Sequence, residues 1–412
     1  MKFYLIGKKL GHSYSALIHR AKGLDYSLKE LSEGEAGDFL QSGDFCGLNV
    51  TIPYKKTVIP YLDELSESAK EIGAVNTVLK KDGKLFGYNT DFGGVEYSFK
   101  RAGVSVENKT VCVLGAGGAA AAVNAYLSAA GAKKIYSVSR KGEIKFDNYG
   151  AFVGDSEILV NATPVGMFPN VGISPADLSL FPELSFVFDC VYNPERTELV
   201  RSAKERGITA LSGLFMLAEQ ALLAEDIWLG KTHTGEETED IVRLVYKNSL
   251  NLVLAGMPGS GKTSLGKIVA ETLGKKFVDT DEEITKKFGA TPAEIIVKEG
   301  EEAFRKKESA VIKEVSALSG AVIATGGGAV IKTENVSALK SNGVIVYIKR
   351  DLSALSSGNR PITAKEGVSA LYEKRRALYE NAADETVCNS ADKLHAAKEI
   401  AKAYETACNK RS

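Results

Sequence analysis

The 412-residue chain has little of what staples a small fold or binds a structural metal. Its five cysteines (Cys46, Cys112, Cys190, Cys388, Cys408) are scattered, with no C-x-x-C pair. That pattern argues against a disulfide framework and for reduced thiols. The four histidines, His12, His19, His233 and His395, show no metal-ligand spacing, so no structural zinc site is expected. Net charge is absent too. Lys+Arg and Asp+Glu both number 52, which leaves no basic field for nucleic acid or an anionic membrane. No apolar run approaches the ~18 residues of a membrane-spanning helix. The strand-like start Met1–Gly7 is too short for a signal-peptide core. A cytoplasmic protein is expected.

What is present is a globular composition, 44% hydrophobic and 25% charged, and enough length for two or three domains. Short apolar runs alternate with helical patterns, which predicts an α/β architecture of mainly parallel sheets. Strands are expected at Phe3–Gly7, Tyr26–Leu31, Gly47–Thr51, Ala74–Leu79, Thr110–Leu114, Lys134–Val138, Ile158–Asn161, Phe186–Asp189 and Leu250–Ala255. The main boundary is expected near residues 247–250, where a fresh strand follows a helical segment with little room for a linker.

Two phosphate-cradling glycine loops of different type stand far apart. Gly115-Ala116-Gly117-Gly118-Ala119-Ala120 is a G-x-G-x-x-A run behind a strand, the kind of loop that lays a dinucleotide pyrophosphate on a helix N-terminus. The next strand ends in Ser139-Arg140-Lys141, whose cations suit an adenosine 2′-phosphate and so NADP. Glu143, close by, keeps NAD as the alternative. Gly256-Met257-Pro258-Gly259-Ser260-Gly261-Lys262-Thr263 is a complete G-x-x-x-x-G-K-T run. There backbone N–H groups cradle the phosphates of ATP or GTP, Lys262 neutralises them, and the Thr263 hydroxyl can ligate Mg²⁺; Ser264 opens the following helix.

Around the first loop stand Gly11-His12-Ser13-Tyr14-Ser15, Gly47-Leu48-Asn49-Val50-Thr51-Ile52-Pro53-Tyr54-Lys55, Gly73-Ala74-Val75-Asn76-Thr77 and Gly87-Tyr88-Asn89-Thr90-Asp91. Asn161-Ala162-Thr163-Pro164, Asp189-Cys190-Val191-Tyr192-Asn193-Pro194 and the run from Gly213 to Ala221 follow. In content and order they resemble the shikimate dehydrogenases over essentially all of residues 1–248. The resemblance implies a substrate domain, 1–95 completed by 213–248, and a Rossmann-like NADP domain, 96–212. Lys55 and Asp91 match the catalytic pair: the lysine carries a proton to the reduced ketone oxygen, and the aspartate holds it. Ser13, Ser15, Thr51, Asn76, Tyr192 and Gln220 would bind the hydroxylated ring, with Gly213 and Met216 near the nicotinamide. Met216 reads equally well as helix core. Ala16 and Arg20 depart from the family's usual proline and asparagine, which puts the entry of that helix in doubt rather than catalysis.

Downstream of the second loop, Asp279-Thr280-Asp281, Glu301–Arg305, Thr325–Val330, Asn359-Arg360-Pro361 and Arg375–Tyr379 resemble the shikimate kinases, in order. A P-loop kinase domain with a parallel sheet, 249–412, is implied. Asp279 would serve Mg²⁺ and Asp281 would accept the attacking hydroxyl's proton. Arg305 and Arg375 would clamp the substrate carboxylate. Gly326, Gly327 and Gly328 would let the ring approach the backbone, and Arg360 would ride a closing segment at 356–361. Leu355-Ser356-Ser357 stands where the family commonly has an arginine, which puts nucleotide affinity in doubt. The two resemblances converge on consecutive reactions, NADPH-dependent reduction of 3-dehydroshikimate and ATP-dependent phosphorylation of shikimate. A non-catalytic metabolite sensor is the rival of another class, and a quinate-tolerant, NAD-using dehydrogenase with a kinase for another small alcohol is the enzymatic one. A sensor should have lost Lys55, Asp91, Lys262 and Asp281, which all remain.

Overall fold

The computed structural model describes residues 1–11, 13–355, 367–389 and 392–411. Its contacts divide the chain into two compact units, Met1–Val245 and Tyr246–Ser412.

The first unit holds two sheets. β1 (Lys2–Gly7), β2 (Asp25–Glu30), β3 (Gly47–Val50), β4 (Glu64–Leu65), β5 (Thr77–Lys81) and β6 (Lys84–Tyr88) pair in the order β2-β1-β3-β5-β6-β4. This sheet is mixed: β3–β5 and β5–β6 are antiparallel, the other pairs parallel. Asp82 and Gly83 make the β5–β6 turn with φ of 52° and 77°, the left-handed pair that a two-residue hairpin demands. The strand expected at Ala74–Leu79 begins later, at Thr77. Val75 N donates to Lys55 O at 2.7 Å, so the chain at 74–75 serves the turn after β3, while Asn76 bonds both strands beside β5, its N to Tyr88 O at 3.1 Å and its O from Val50 N at 2.8 Å.

The second sheet is wholly parallel: β7 (Thr110–Leu114), β8 (Lys134–Val138), β9 (Ile158–Asn161), β10 (Phe186–Asp189) and β11 (Thr209–Ser212), in the order β11-β10-β9-β7-β8. The chain leaves β7 in one direction for β8 and returns to its other side for β9. The glycine loop after β7 therefore sits at a topological switch point, where open α/β sheets bind ligands. Phe99, Phe186, Phe188, Val113 and Met216 share one buried cluster against this sheet.

The second unit is built on β12 (Asn251–Ala255), β13 (Lys276–Asp279), β14 (Ala321–Ala324), β15 (Gly343–Lys349) and β16 (Glu385–Cys388), all parallel, in the order β13-β14-β12-β15-β16. β12 is central and fully buried. The helix after its loop, Lys262–Leu273, stops at Gly274 with φ of 63°, a left-handed C-cap that glycine adopts without steric cost. The segment at 247–250 belongs to this unit's fabric. The Tyr404 hydroxyl donates to Leu250 O at 2.7 Å and lies 3.1 Å from Lys247 O, and Gly320 N donates to Ser249 O at 2.7 Å.

Candidate active sites

In the first unit Lys55 follows β3 in a tight turn, and Asp91 opens the helix Asp91–Arg101. Lys55 Nζ lies 2.5 Å from Asp91 Oδ2, both side chains largely buried. Two further neighbours fix the aspartate. Asn76 Nδ2 donates to Asp91 Oδ1 at 2.8 Å and to Thr90 Oγ1 at 3.0 Å, and Asn89 Oδ1 accepts from Asp91 N at 3.0 Å. Gln220, on the helix Leu214–Leu229, places Oε1 3.4 Å from the Asn76 amide. That helix comes close because Gly94 has no side chain: a Cβ there would stand 2.7 Å from Met216 O.

Ser13 Oγ donates to Ser15 Oγ at 3.1 Å. The Tyr192 ring lies 5.5 Å from that of Tyr14, and burial pushes the Tyr192 phenol up to about 12. Thr51 packs on Gly7, where a Cβ would meet its Cγ2 at 2.7 Å. The substituted helix Ser15–Ala21 forms without proline, and Arg20 Nε ties it to Tyr26 O at 2.8 Å.

The dinucleotide loop meets this cluster directly. A Cβ on Gly118 would stand 2.8 Å from Lys55 Cδ, so the lysine stem lies against the N-terminus of the helix Gly118–Ala129. Gly115 has φ of 121° and faces Ala162 O at 2.7 Å from its virtual Cβ. Ala116 and Gly117 are exposed, and nothing stands within 4 Å of a Cβ on Gly117. Ala119 is half-buried on the first helical turn. This cradle is open on the ligand side and closed on the protein side, which fits a pyrophosphate. Gly213 lets the backbone pass Cys190 O, 2.2 Å from its virtual Cβ. Ser139 is half-buried after β8, while Arg140, Lys141 and Glu143 are exposed. Met216 is buried in the cluster on the second sheet.

Sequence inspection singled out Asn161 and Asp189 without a role. Asn161 Oδ1 accepts from Thr163 N and Oγ1, and its Nδ2 donates to Asp189 Oδ1 at 2.9 Å. Burial pushes Asp189 up to about 6. Together they shape the turn beneath Gly115.

In the second unit Lys262 Nζ donates to Gly256 O and Met257 O, each at 2.9 Å, and so lies curled over its own loop. Thr263 Oγ1 donates to Asp279 Oδ2 at 2.7 Å, and Asp279 Oδ1 accepts from Asp281 N at 3.0 Å. One carboxylate thus joins the P-loop helix to the next strand end, a hard-oxygen arrangement suited to Mg²⁺ and its water. Gly256 and Gly261 hold φ of 151° and 98°. Ser260 Oγ is buried, and Ser264 Oγ donates to Gly261 O at 3.1 Å. Two residues absent from the sequence-based set clasp this loop: Arg350 Nη1 donates to Gly259 O at 3.0 Å and Asn389 Nδ2 to Ser260 O at 2.8 Å.

The three glycines after β14 each admit a neighbour. Virtual Cβ atoms on Gly326, Gly327 and Gly328 would stand 2.9 Å from Asp281 Oδ1, 2.8 Å from Pro258 Cδ and 2.2 Å from Arg305 Nη1. Arg375 Nη1 donates to Gly327 O at 3.1 Å, and the Tyr379 hydroxyl bonds the same carbonyl. Arg305 is held by Glu308 at 2.7 Å and Glu301 at 2.9 Å. Glu308 was not expected. It is 1% exposed, and burial pushes its carboxyl up against the opposing pull of Arg305. Its signal was its place three residues after Arg305, one turn along the same helix. Arg360 and the closing segment at 356–361 lie outside the described residues.

Both units have counterparts among known proteins. The family model for the shikimate dehydrogenase substrate-binding domain matches residues 5–78. A shikimate dehydrogenase (NADP(+)) of Clostridium perfringens is 40% identical over 260 residues, 58% of this chain and 96% of that protein. The chain belongs to the shikimate dehydrogenase family. Among solved structures, shikimate dehydrogenase 1 of Peptoclostridium difficile is 35% identical with a TM-score of 0.55, covering 58% of this chain and 96% of its own. The Thermus thermophilus shikimate 5-dehydrogenase, solved with NADP(H) and shikimate, is 32% identical with a TM-score of 0.52, covering 58% and 98%. Beyond the dehydrogenase unit, the shikimate kinase family model matches residues 258–405.

Proposed function

We propose that this chain is a bifunctional enzyme whose dehydrogenase unit reduces 3-dehydroshikimate to shikimate and whose kinase unit converts shikimate to shikimate 3-phosphate. The observation that carries the first activity is the position of Lys55. Its ammonium is held 2.5 Å from Asp91 while its stem lies on Gly118 of the dinucleotide loop. A proton donor and a cofactor cradle therefore meet at one point.

NADPH supplies the hydride when bound, held by Gly115, Ala116, Gly117, Gly118 and Ala119, with Arg140 and Lys141 toward the 2′-phosphate. Ser13, Ser15, Thr51, Asn76, Tyr192 and Gln220 orient the ring by neutral hydrogen bonds, so that a ring lacking a hydroxyl leaves buried polar groups unpaired. Lys55 delivers its proton to the oxygen that would otherwise become an alkoxide, and Asp91 keeps the ammonium aimed.

In the kinase unit MgATP supplies the phosphoryl group when bound, held by Gly259, Ser260, Gly261, Lys262, Thr263 and Ser264, with Asp279 on the metal side. Lys262 leaves the two loop carbonyls for the phosphates. Asp281 orients the attacking hydroxyl and takes its proton. Arg305 and Arg375 face the substrate carboxylate, Arg305 pre-oriented by Glu308. Arg360 belongs to this proposal on sequence grounds alone.

One assay tests both halves. Protein, NADPH, 3-dehydroshikimate and MgATP are mixed, and cofactor oxidation and ADP release are followed separately. Both signals are expected, with ADP release requiring shikimate. Neither signal would favour the sensor, and ADP release with a different small alcohol would redirect the kinase assignment.

A further inference from the structure

His19 plays no part in the chemistry above, yet it is wholly buried beneath it. Its ring is 0% exposed, as is the carboxylate of Glu225, and Nδ1 lies 2.8 Å from Glu225 Oε1. Lys231 Nζ reaches the other oxygen of that carboxylate at 3.2 Å. Nε2 lies 3.2 Å from Asn49 Oδ1, which also accepts from the Tyr26 hydroxyl at 2.7 Å, and the Tyr26 ring stacks on the imidazole at 4.2 Å. The orientation of the Asn49 amide is constrained. Its Nδ2 faces two acceptors, Thr77 Oγ1 at 3.4 Å and Asn76 O at 3.5 Å, so Oδ1 must be the atom turned to His19 and Tyr26. His19 Nε2 is then a donor.

From Asn49 the contacts run on without a break. Thr77 Oγ1 donates to Asn76 Oδ1 at 3.1 Å, and Asn76 Nδ2 donates to Asp91 Oδ1 at 2.8 Å. Asp91 then holds Lys55. The pair also joins the helices Ser15–Ala21 and Leu214–Leu229, which carry Ser15 and Gln220.

We infer that His19 is a positioning residue for the proton-delivery pair, acting through the Asn49 amide rather than through its closer partner Glu225. The inference rests on the assignment of Lys55 and Asp91 to reduction. Donation from Nε2, with that from Tyr26, locks Asn49 in one orientation. The locked amide steadies Thr77 and Asn76, and Asn76 sets the carboxylate of Asp91.

Two substitutions separate this role from plain structural burial. Glutamine places its amide nitrogen near the histidine Nε2 position and keeps the donor to Asn49. Asparagine places its amide near Nδ1 and keeps only the Glu225 side. Single-turnover NADPH oxidation with 3-dehydroshikimate is measured on the full chain, with dinucleotide binding as the folding control. His19→Gln should stay within about threefold of the parent rate, whereas His19→Asn should fall about tenfold, the loss of one hydrogen bond's orienting effect. The KM for 3-dehydroshikimate should move little in either. Asn49→Ala should be as slow alone as in combination with His19→Asn, because both cut the same chain of contacts. His19→Asn equal to or faster than His19→Gln, full additivity with Asn49→Ala, or loss of dinucleotide binding in both His19 variants would each overturn the inference in favour of a structural ion pair. Failure of the underlying assignment is read elsewhere, from Lys55→Ala retaining reduction.

Discussion

The two units handle the same carbon ring with opposite electrostatics. The proposed ring-binding set of the dehydrogenase unit is neutral: Ser13, Ser15, Thr51, Asn76, Tyr192 and Gln220 offer hydroxyls and amides, and the Lys55–Asp91 pair at 2.5 Å adds one charge of each sign. The kinase site is crowded with charge, Arg305 against Glu308 and Glu301, Thr263 on Asp279, and Asp281 beside Gly326. The chemistry accounts for the difference. Hydride and proton addition leaves a neutral alcohol, so a single positioned proton suffices. Phosphoryl transfer brings several negative charges together, and fixed cations must meet them. The reacting bond, rather than the shared substrate, decides how a site is charged.

The largest expected effects would break that contrast if they failed. Lys55→Ala should slow ketone reduction by about 10²–10⁴-fold and leave phosphorylation of added shikimate intact. Asp281→Asn should do the converse, lowering kinase kcat by roughly 10²-fold or more with little change in KM. Steady-state assays of both activities on both variants check this, and a folded variant losing both would deny that the units are chemically separate.

Peripheral cations should act more gently. Arg305→Lys should chiefly raise the shikimate KM, by about tenfold, since an ammonium cannot reproduce the guanidinium fork. Arg140→Ala combined with Lys141→Ala should remove roughly ten- to hundredfold of the NADPH preference. Ratios of kcat/KM for NADPH and NADH measure it. An unchanged ratio would shift attention to Glu143.

The smallest effect concerns stability of the dehydrogenase unit. A hydrogen bond donated to Glu219, with a second to Asp226, raises the His233 imidazole to about 9. A raised cationic group stabilises the fold fully below its unfolded value, ~6.5, and the contribution fades as pH climbs through about 9. Thermal melting of this unit should therefore drop by several degrees between pH 6.5 and 9.5, at roughly 2–4 °C per kcal/mol for a unit of this size. His233→Gln should flatten that dependence.

Legibility differed between elements for physical reasons. Buried parallel strands such as β7, β9 and β10 read directly, because continuous apolar runs leave few other conformations. β6 escaped notice although Asp82-Gly83 ahead of it is a hairpin signal. Ala74 and Val75 read as strand because they are apolar and follow a glycine, yet a hydrogen bond from Val75 N to Lys55 O ties that backbone to the turn after β3. Glu308, Arg350 and Asn389 all hold other residues; spacing along one helix marks Glu308 beside Arg305, whereas Arg350 and Asn389 reach the loop across 91 and 129 positions, where no local pattern marks such a task. Arg20, read as a departure that unsettles its helix, bonds Tyr26 O.

By itself the sequence determined the presence of two phosphate loops, their order, and the residue types each chemistry needs, since glycine spacing and a following helix constrain the backbone locally. Tertiary structure alone decided which of these residues meet. Lys55 reaches Asp91 across 36 positions and rests on Gly118, and Arg305 packs on Gly328. His19 joins Glu225 across 206 positions. Such pairings depend on sheet order and on close approach at glycine, and long-range packing fixes both. A residue's own neighbours in sequence carry no record of them.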